Sequence, residues 1–463
     1  MPNLVFVFAD QWRAQALGCA GDPNVRTPFI DRLARDSVAF DHMVCHMPVC
    51  TPYRGTLMTG MFPHRHGLFL NDLCLYNNLR AREPAAVTLG EAFRAAGYAT
   101  GYIGKWHIDG HGRAGTIPPE RRLGFDHWQV LECSHDYNAS RYYAGADTQL
   151  RRWPGYDADA QTDAAIAWLQ TRPADPRPFF LALSWGPPHN PYDTAPERFR
   201  ALYDPAAIQL RPNVPTDRAD QADRGDRARR ELAGYYAHCS ALDADLERLS
   251  DALAAAGLAD DTIFIFTSDH GDMLHSQGQE RKQRPWDESI LAPLFVRLPA
   301  ARFPTAARAR REAQPISSVD LMPTLCGLCG VPVPASVQGR DCSRLLTHAD
   351  RRGQPAGRLI ANYSPFGEFE RRHGGREFRG VRTARYTYVR DLTGPWLLYD
   401  NQTDPFQLQN LVGRPEALAV QAMLEQELHA RLSEADDRFY PGATYLQSWN
   451  YAVDEGGSMS WND

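Results

Sequence analysis

Residues 3–10 read NLVFVFAD, and residues 262–269 read TIFIFTSD. Each stretch is a short, mainly apolar run that ends in an acidic residue, Asp10 in the first and Asp269 in the second. Apolar runs of this kind are typical of a parallel sheet covered by helices on both faces. In such a sheet, ligands bind outside the carboxyl ends of the strands. The two runs therefore predict an α/β fold with a polar site where these strands end.

The rest of the chain extends this pattern and then departs from it. The first part predicts strands over Asn3–Ala9, Ala99–Gly104, Phe179–Trp185, Thr262–Thr267 and Leu294–Leu298, and helices over Thr27–Arg35, Thr88–Ala96, Asp159–Gln170 and Arg227–Ala256. The later part predicts short strands within Leu359–Ser364, Phe378–Val389 and Trp396–Tyr399, and a helix over Pro415–Ala435. We therefore expect two domains: residues 1–355, with a large, mainly parallel sheet sandwiched by helices, and residues 356–463, a smaller α+β domain with an antiparallel sheet.

The composition excludes several classes of protein. Of 463 residues, 43% are hydrophobic and 23% charged, which is ordinary for a folded soluble chain. The net charge of -6 gives no basic excess for nucleic acid, and no apolar run is long enough to span a bilayer. The first residues lack the features of a signal peptide, and the nine cysteines are odd in number and scattered. We therefore expect a cytoplasmic protein without nucleic-acid or membrane partners.

Three further features have an ordinary structural interpretation. Cys326 and Cys329 form a CxxC, but it lies in an apolar helical pattern without a second such pair, so two buried thiols are favoured over a metal or redox site. The charge-rich segment Thr216–Glu231 is typical of a solvated helix start. The aromatic tail Ala435–Asp463 is interpreted in two ways: as an arm that docks on another subunit of a homo-oligomer, or as a segment that packs against its own domain.

The basic residues are distributed unusually. Of 50 lysines and arginines, only Lys105 and Lys282 are lysine. An ammonium is a compact point charge with three donors, whereas a guanidinium is a wide planar fork. A chain so rich in arginine is expected to keep lysine where arginine will not serve, although two lysines can also survive by accident.

The most specific segment is CTPYRGTLMTG, at residues 50–60. Pro52 suits the first turn of a helix from Thr51 to about Thr59. Cys50 then lies at the helix N-terminus, where backbone N–H groups favour an anion, and Arg54 lies one turn further on. From the residues alone, Cys50 is either a low-pKa nucleophile or a buried thiol at a tight turn.

Polar residues also follow the two strands quoted first. Asp10 and Gln11 end one strand, and Asp269 and His270 follow the other. Carboxylate oxygens are hard ligands and imidazole is a borderline one, so the group predicts a cation site. Taken singly, each Asp is also a candidate helix cap.

The sequence around Cys50 resembles the signature of the type I, formylglycine-dependent sulfatases of the alkaline-phosphatase superfamily. Further stretches resemble landmarks of that family in the same order over nearly the whole chain: RTPFIDRLA, TLGEAFRAAGYATGYIGKWH, PFFLALSWGPPHNPY, DDTIFIFTSDHGD, VDLMPTLCGLCGVPVPASVQGRD and LLYDNQTDPFQLQNL. One such motif is weak, but several in order are specific. The resemblance implies an alkaline-phosphatase-like fold and a sulfatase that hydrolyses a small-molecule or saccharide sulfate ester.

The resemblance also implies a nucleophile and a metal site. Cys50 would be oxidised to formylglycine by a formylglycine-generating enzyme, and the hydrated aldehyde would attack sulfur. One divalent ion, Ca²⁺ or Mn²⁺, would be held by Asp10, Asp269, His270 and the modified Cys50, with Gln11 as a ligand or a neighbour of the ligands.

The remaining roles are carried over residue by residue from the family. Arg54 would orient the hydrated aldehyde, and Lys105 would lie beside it. His107 would be the base that expels sulfate, while Lys282 and His189 would face the scissile oxygen, with His189 protonating the leaving alcohol. Asn71 would either hydrogen-bond a sulfate oxygen or cap a loop.

The metal pairs differ from those of many family members, which carry two adjacent Asp residues and a later Asp-Asn pair. Here the pairs are Asp10-Gln11 and Asp269-His270, a less negative and softer set that admits Mn²⁺ beside Ca²⁺. Together with the spacing of Asn71 and Lys282, they also resemble the phosphonate monoester hydrolases and phosphodiesterases of the superfamily, whereas the stretch GKWH favours a sulfatase.

Three functions therefore remain after the sequence analysis. They are a sulfatase, a phosphonate or phosphate diester hydrolase, and a non-catalytic binder of a sulfated ligand. The third is disfavoured because every expected catalytic position is present. The loops at residues 132–143 and 366–375 are expected to form the pocket walls. There His135, Tyr137 and Arg141 either meet a sugar or aryl ring of the alcohol or pack within the loop.

Overall fold

The computed structural model describes residues 1–216, 222–304 and 309–459. Strands β1 to β17 span Asn3–Asp10, Val38–Phe40, Met43–Val44, Ala99–Lys105, His127–Leu131, Arg141–Ala144, Arg151–Arg152, Phe179–Pro188, Thr262–Ser268, Leu291–Ala292, Leu294–Arg297, Arg310–Glu312, Ile316–Ser317, Gly357–Asn362, Phe378–Thr383, Tyr386–Asp391 and Gly394–Asp400. Helices α1 to α13 span Pro28–Arg35, Cys50–Thr59, Pro63–His66, Leu75–Arg82, Leu89–Ala95, Asp157–Gln170, Glu197–Arg200, Ala222–Ala255, Asp287–Ile290, Leu321–Cys329, Ser343–His348, Leu418–Ala435 and Gly442–Trp449.

The main sheet has the strand order β12-β2-β11-β9-β1-β8-β4-β5-β6-β7. Strand β1 lies in the middle, parallel to both β8 and β9, and β4 and β5 continue the parallel arrangement. Strand β11 and the edge strands β6 and β7 pair antiparallel with their neighbours. This mainly parallel sheet confirms the fold class predicted from the apolar runs.

Successive side chains of β1 point to opposite faces of the sheet, and both faces are covered. Leu4, Phe6 and Phe8 pack into one core, while Val5 and Val7 pack into the core on the opposite face. Helices α2, α5 and α10 contribute to the first core, and α1, α6 and α8 to the second. Because both faces are covered, the strand is apolar along its length, and its polar residue comes only at the end.

The C-terminal sheet is antiparallel, in the order β14-β15-β16-β17. Leu359 on one face packs with Leu428 of α12, while Ile360 on the other face packs with Val44 and Ile290 of the large sheet region. The small sheet therefore lies between its own helix and the α/β part. The predicted domain boundary at residues 355/356 remains a prediction.

Some element boundaries differ from the predicted ones. The stretch Phe378–Val389 contains two strands, β15 and β16, that pair as a hairpin. The helix predicted over Pro415–Ala435 begins with a 3-10 turn at Pro415–Ala417. The segment Thr216–Glu231 contains the start of α8, but residues 217–221 lie outside the described residues. Both cysteines of the CxxC are buried, free thiols in α10.

The end of the described chain packs against its own N-terminal part. Tyr451 Oη donates a hydrogen bond to Gly67 O at 3.1 Å and accepts one from Asn78 Nδ2 at 2.6 Å. The Arg82 guanidinium lies 4.0 Å from the centre of the Trp449 ring. Of the two interpretations of the tail, the structure shows packing within one chain: Tyr445 accepts from Arg379 Nη2 of its own predicted domain at 3.1 Å, and Trp449 and Tyr451 also contact the N-terminal part. A homo-oligomer remains a prediction.

A search of the helices in the described ranges finds none with the length and apolar character needed to cross a membrane. The cytoplasmic location remains a prediction.

Candidate active site

The site forms where the central strands end. Asp10 is the last residue of β1, and Asp269 and His270 directly follow β9, its parallel neighbour. Helix α2 begins at Cys50 and brings the thiol to the same edge, with Sγ 3.3 Å from Asp10 Oδ1 and 3.3 Å from His270 Nε2. One ligand atom from each of Asp10, Cys50, Asp269 and His270 lies within 4.8 Å of the others, and all four residues are buried.

Both lysines of the chain reach this group. Lys105 is the last residue of β4, and its Nζ donates to Asp10 Oδ2 at 2.7 Å. Lys282 Nζ donates to Cys50 Sγ at 3.2 Å and to Gln11 Oε1 at 2.9 Å. One ammonium group therefore contacts Asp10 and the other contacts Cys50, which gives the site the positive charge that an anionic ester requires.

Arg54 holds the carboxylates in place from within α2. Its Nη1 donates to Lys105 O at 2.7 Å and to Ser184 Oγ at 2.8 Å, and its Nη2 donates to Asp10 Oδ2 at 3.3 Å. Its Nη2 also lies 3.6 Å from Asp269 Oδ2. The guanidinium is fully buried, so these charged contacts fix the relation between α2, β4 and β8.

His107 is oriented by a residue that the sequence analysis did not single out. Its Nε2 lies 3.0 Å from Asp72 Oδ1, and its backbone carbonyl accepts a hydrogen bond from Thr51 Oγ1 at 2.8 Å. Because a carboxylate only accepts, Nε2 carries the hydrogen, and the buried Nδ1 has no hydrogen-bond partner among the described residues. Burial alone lowers the pKa of His107, but Cys133, Asp72 and Cys50 raise it to about 10.

His189 is oriented from the opposite wall. Its Nδ1 donates to Asn190 O at 2.8 Å, which leaves Nε2 as the nitrogen that can exchange a proton. Its ring stacks on His135, with ring centres 4.3 Å apart and planes 3° from parallel. Burial and the neighbouring Lys282 and His135 hold the pKa of His189 well below its usual range.

Gln11 and Asn71 both lie at the site, but their hydrogen bonds are to protein groups, whereas the sequence predicted contacts with the metal and with sulfate. The Gln11 amide oxygen accepts from Lys282, and its Nε2 donates to Asp272 Oδ2 at 2.6 Å, so a ligand role for Gln11 remains a prediction. Asn71 Oδ1 accepts from Thr51 N at 3.3 Å and thereby caps the N-terminus of α2. Asn71 also lines the pocket, and its contact with sulfate remains a prediction.

The electrostatics of the group follow from burial and crowding. Burial alone raises the pKa of Asp10, but Lys105, His189, Lys282 and Arg54 hold it well below its usual range. Burial and the charge of Asp10 raise the pKa of Asp269. Burial and Asp10 raise the pKa of the Cys50 thiol, but Lys282, Lys105 and His270 lower it well below its usual range. The site therefore favours an anion at the position of Cys50 Sγ.

A pocket of about 500 Å³ opens from Cys50 to the surface. Its walls include His135 and residues 366–368 of the two loops predicted for this purpose, and also Asp454, Ser458 and Met459 of the tail, which were not predicted. Tyr137 is buried and donates to backbone carbonyls instead of facing the pocket, and Arg141 is not among the lining residues.

The comparison with protein families decides the family. The model described as Sulfatase matches residues 2–331, and the model described as N-sulphoglucosamine sulphohydrolase, C-terminal, matches residues 279–434. The chain belongs to the sulfatase family. This sulfatase is an enzyme that hydrolyses sulfate esters, so the interpretation as a non-catalytic binder is wrong.

Two sulfatases match this chain over almost its full length. An ulvan-active sulfatase from Formosa agariphila is 39% identical over 97% of this chain and 84% of its own length. An endo-4-O-sulfatase from Bacteroides thetaiotaomicron is 30% identical over 95% of this chain and 93% of its own length.

Solved structures confirm the fold. A structure from work on the metabolism of multiple glycosaminoglycans by B. thetaiotaomicron is 28% identical, covers 96% of this chain and 99% of its own, and gives a TM-score of 0.82. The phosphonate monoester hydrolase of Agrobacterium radiobacter gives a TM-score of 0.74 at 24% identity, with 100% of both chains covered. At that identity the second likeness shows the shared alkaline-phosphatase-like fold alone.

Proposed function

We propose that this sulfatase hydrolyses a sulfate monoester of a saccharide, with an oxidised Cys50 as the nucleophile and one divalent cation beside it. One observation carries the proposal: two carboxylates, an imidazole and two ammonium groups converge on the Cys50 side chain, with contacts of 3.2 Å to Lys282 and 3.3 Å to Asp10 and His270. The names of the ulvan-active and endo-4-O-sulfatase relatives support a saccharide as the alcohol.

The residues around Cys50 fit a divalent cation. Asp10, Asp269 and His270 offer hard oxygen and borderline nitrogen donors, a set that suits Ca²⁺ or Mn²⁺. Asp269 Oδ2 is buried and accepts no hydrogen bond within residues 1–216, 222–304 and 309–459. A bound cation would relieve the crowding of these carboxylates and would polarise the sulfate group and the attacking hydroxyl.

Cys50 in the structure is a thiol, and its Sγ marks the place where the oxygen atoms of formylglycine would lie. The family resemblance supports this modification, which would give the side chain two hydroxyl groups after hydration. One hydroxyl would attack sulfur, and the other would lose its proton to expel sulfate. Lys105 and Lys282 lie where their ammonium groups can stabilise the negative charge of the ester during both steps.

The two histidines divide the proton transfers. His107 would act as the base in its neutral form, in which Asp72 holds Nε2–H and Nδ1 is left to take the proton of the second hydroxyl. The Cys50 thiol is one of the groups that raise the pKa of His107, and formylglycine would replace it. His189 is neutral without a ligand, because burial and then the neighbouring Lys282 hold its pKa well below the usual range. An anionic ester beside Nε2 favours its protonation, and the proton then passes to the leaving alcohol oxygen.

The experiment compares hydrolysis by the mature enzyme on a monosaccharide sulfate, an aryl sulfate and an aryl phosphonate. The proposal predicts turnover of the sulfates that depends on a divalent ion and on modified Cys50. A rate on the phosphonate that exceeds both sulfate rates would instead favour the second hydrolase function predicted from the sequence.

A further inference from the structure

The pocket wall that includes Lys282 and His189 contains polar atoms that have no hydrogen-bond partner among the described residues. Both amide atoms of Gln283, Asn190 Oδ1 and Glu368 Oε2 are buried and form no hydrogen bond within the described part of the chain. All three residues line the pocket that contains Cys50, and Gln283 is 2% exposed. Buried polar groups are nearly always paired in folded proteins, so three unpaired ones around a single pocket indicate ligand-binding groups.

Gln283 is placed next to the reacting groups by its backbone. It follows Lys282, whose Nζ contacts Cys50 Sγ, and its own backbone N–H donates to Pro48 O at 3.2 Å. Its φ of 68° lies in the left-handed region, which a non-glycine residue adopts at a cost in backbone strain. This strained backbone places the Gln283 amide, with one donor group and one acceptor group, next in sequence to Lys282, the lysine expected to face the scissile oxygen.

Asn190 and Glu368 approach from two other elements. Asn190 follows His189 and accepts the hydrogen bond that orients its ring. Glu368 is carried by the loop after β14, and its backbone carbonyl accepts from Arg284 Nη2 at 2.7 Å.

The chemistry of these groups selects the alcohol. The unpaired atoms are the amide oxygen of Asn190, a carboxylate oxygen of Glu368 and both amide atoms of Gln283. Most of them are acceptors, and a hydroxyl group can donate a hydrogen bond to each acceptor. An unsubstituted aryl alcohol has no further hydroxyl to donate. We propose that Gln283, Asn190 and Glu368 bind ring hydroxyl groups of the leaving alcohol and thereby make this sulfatase selective for sugar sulfates over aryl sulfates. The inference rests on the proposed function, which places the ester at Cys50.

The test measures kcat/KM for Gln283→Leu and Glu368→Gln on a panel of monosaccharide monosulfates and on 4-nitrophenyl sulfate. Because Gln283→Leu removes the whole amide and Glu368→Gln replaces a charged acceptor with a neutral one, we expect a loss of roughly tenfold on the best sugar sulfate and a change within about twofold on the aryl sulfate. Gln409→Leu and Glu416→Gln, at exposed positions, are the matched controls and should change neither value.

The outcomes separate the inference from the proposed function. Equal losses on both substrates would mean that Gln283 and Glu368 only support the structure, and unchanged values on both would mean that they bind nothing; either result overturns the inference and leaves the proposed function intact. A wild-type enzyme that hydrolyses 4-nitrophenyl sulfate and none of the sugar sulfates would overturn the saccharide assignment itself.

Discussion

The two ends of the pocket are built differently. At the inner end, around Cys50, the charged side chains lie on strand ends and a helix N-terminus, and most of their polar atoms are paired with each other. At the outer end, the walls come from residues 366–368 and from the tail. One oxygen of the Glu368 carboxylate there has no hydrogen-bond partner within residues 1–216, 222–304 and 309–459. The difference indicates that the parallel sheet fixes the chemistry, while later parts of the chain determine which alcohol fits.

The tail forms a small turn at the outer end. Asp454 N donates to Ser458 O at 2.9 Å, and Asp454 Oδ1 accepts from Ser458 N at 2.9 Å. Val453 pairs with Met459 across this turn. Gly457, with a φ of 79°, lies against Pro365 O, so the turn rests directly on the loop that carries Glu368.

The largest expected effect concerns the nucleophile at the inner end. Cys50→Ala should abolish sulfate ester turnover, and Cys50→Ser should leave at most a trace, because only a hydrated aldehyde has a second hydroxyl that can expel sulfate. Initial rates of the purified variants measure this. Cys326→Ala, which removes a buried thiol of α10 that does not line this pocket, is the control and should keep its activity.

The next effect concerns the cation. Chelation should inactivate the enzyme, and one divalent ion per chain should restore its activity, since the inner end offers a single group of ligands. Asp269→Asn should reduce the activity that the added ion restores. Metal analysis of the reactivated enzyme gives the stoichiometry. Two ions per active chain would contradict the single site and indicate a two-metal design.

The lysines test whether the inner end needs geometry or only charge. Lys105→Arg and Lys282→Arg should each reduce kcat/KM at least about a hundredfold, which is roughly 2.7 kcal/mol of transition-state stabilisation. The reason is that each ammonium lies in a narrow, buried space, at 2.7 Å from Asp10 and at 3.2 Å from Cys50. Near-normal kinetics in both variants would mean that charge alone is sufficient there.

The smallest effect tests the outer end. A Cβ atom at Gly457 would lie 2.4 Å from Pro365 O, so Gly457→Val should displace the turn. We expect KM for a sugar sulfate to rise about threefold to tenfold, with kcat for 4-nitrophenyl sulfate little changed. Gly413→Val has a similar φ of 70° but no heavy atom within 4 Å, so it separates backbone strain from loss of the contact. Equal KM changes in both variants would argue against a role for the turn.

The inner end was largely predictable from the sequence because local patterns determine it. Apolar runs that end in Asp10 and Asp269 place acids at one sheet edge, and Pro52 places Cys50 at a helix start. The rarity of lysine singled out both ammonium groups. Asp72 was missed, although it directly follows the candidate Asn71, because an Asp in a loop has no pattern that indicates its partner.

The outer end could not be predicted in the same way. Nothing in the local sequence shows that Asp454 lies near a cysteine four hundred positions earlier, because that contact depends on how the small sheet and the tail pack on the α/β part. Gln283 gave no signal of its own beside Lys282, since its importance comes from the absence of hydrogen-bond partners for its amide within the described residues. Such properties arise only in the folded chain.

The most direct test of the central claim is the mass of the Cys50 peptide from active enzyme. The account predicts that this peptide carries an aldehyde or its hydrate in place of the thiol, and that the modified fraction is proportional to the specific activity across preparations. A fully active preparation in which the peptide contains only unmodified cysteine would contradict it.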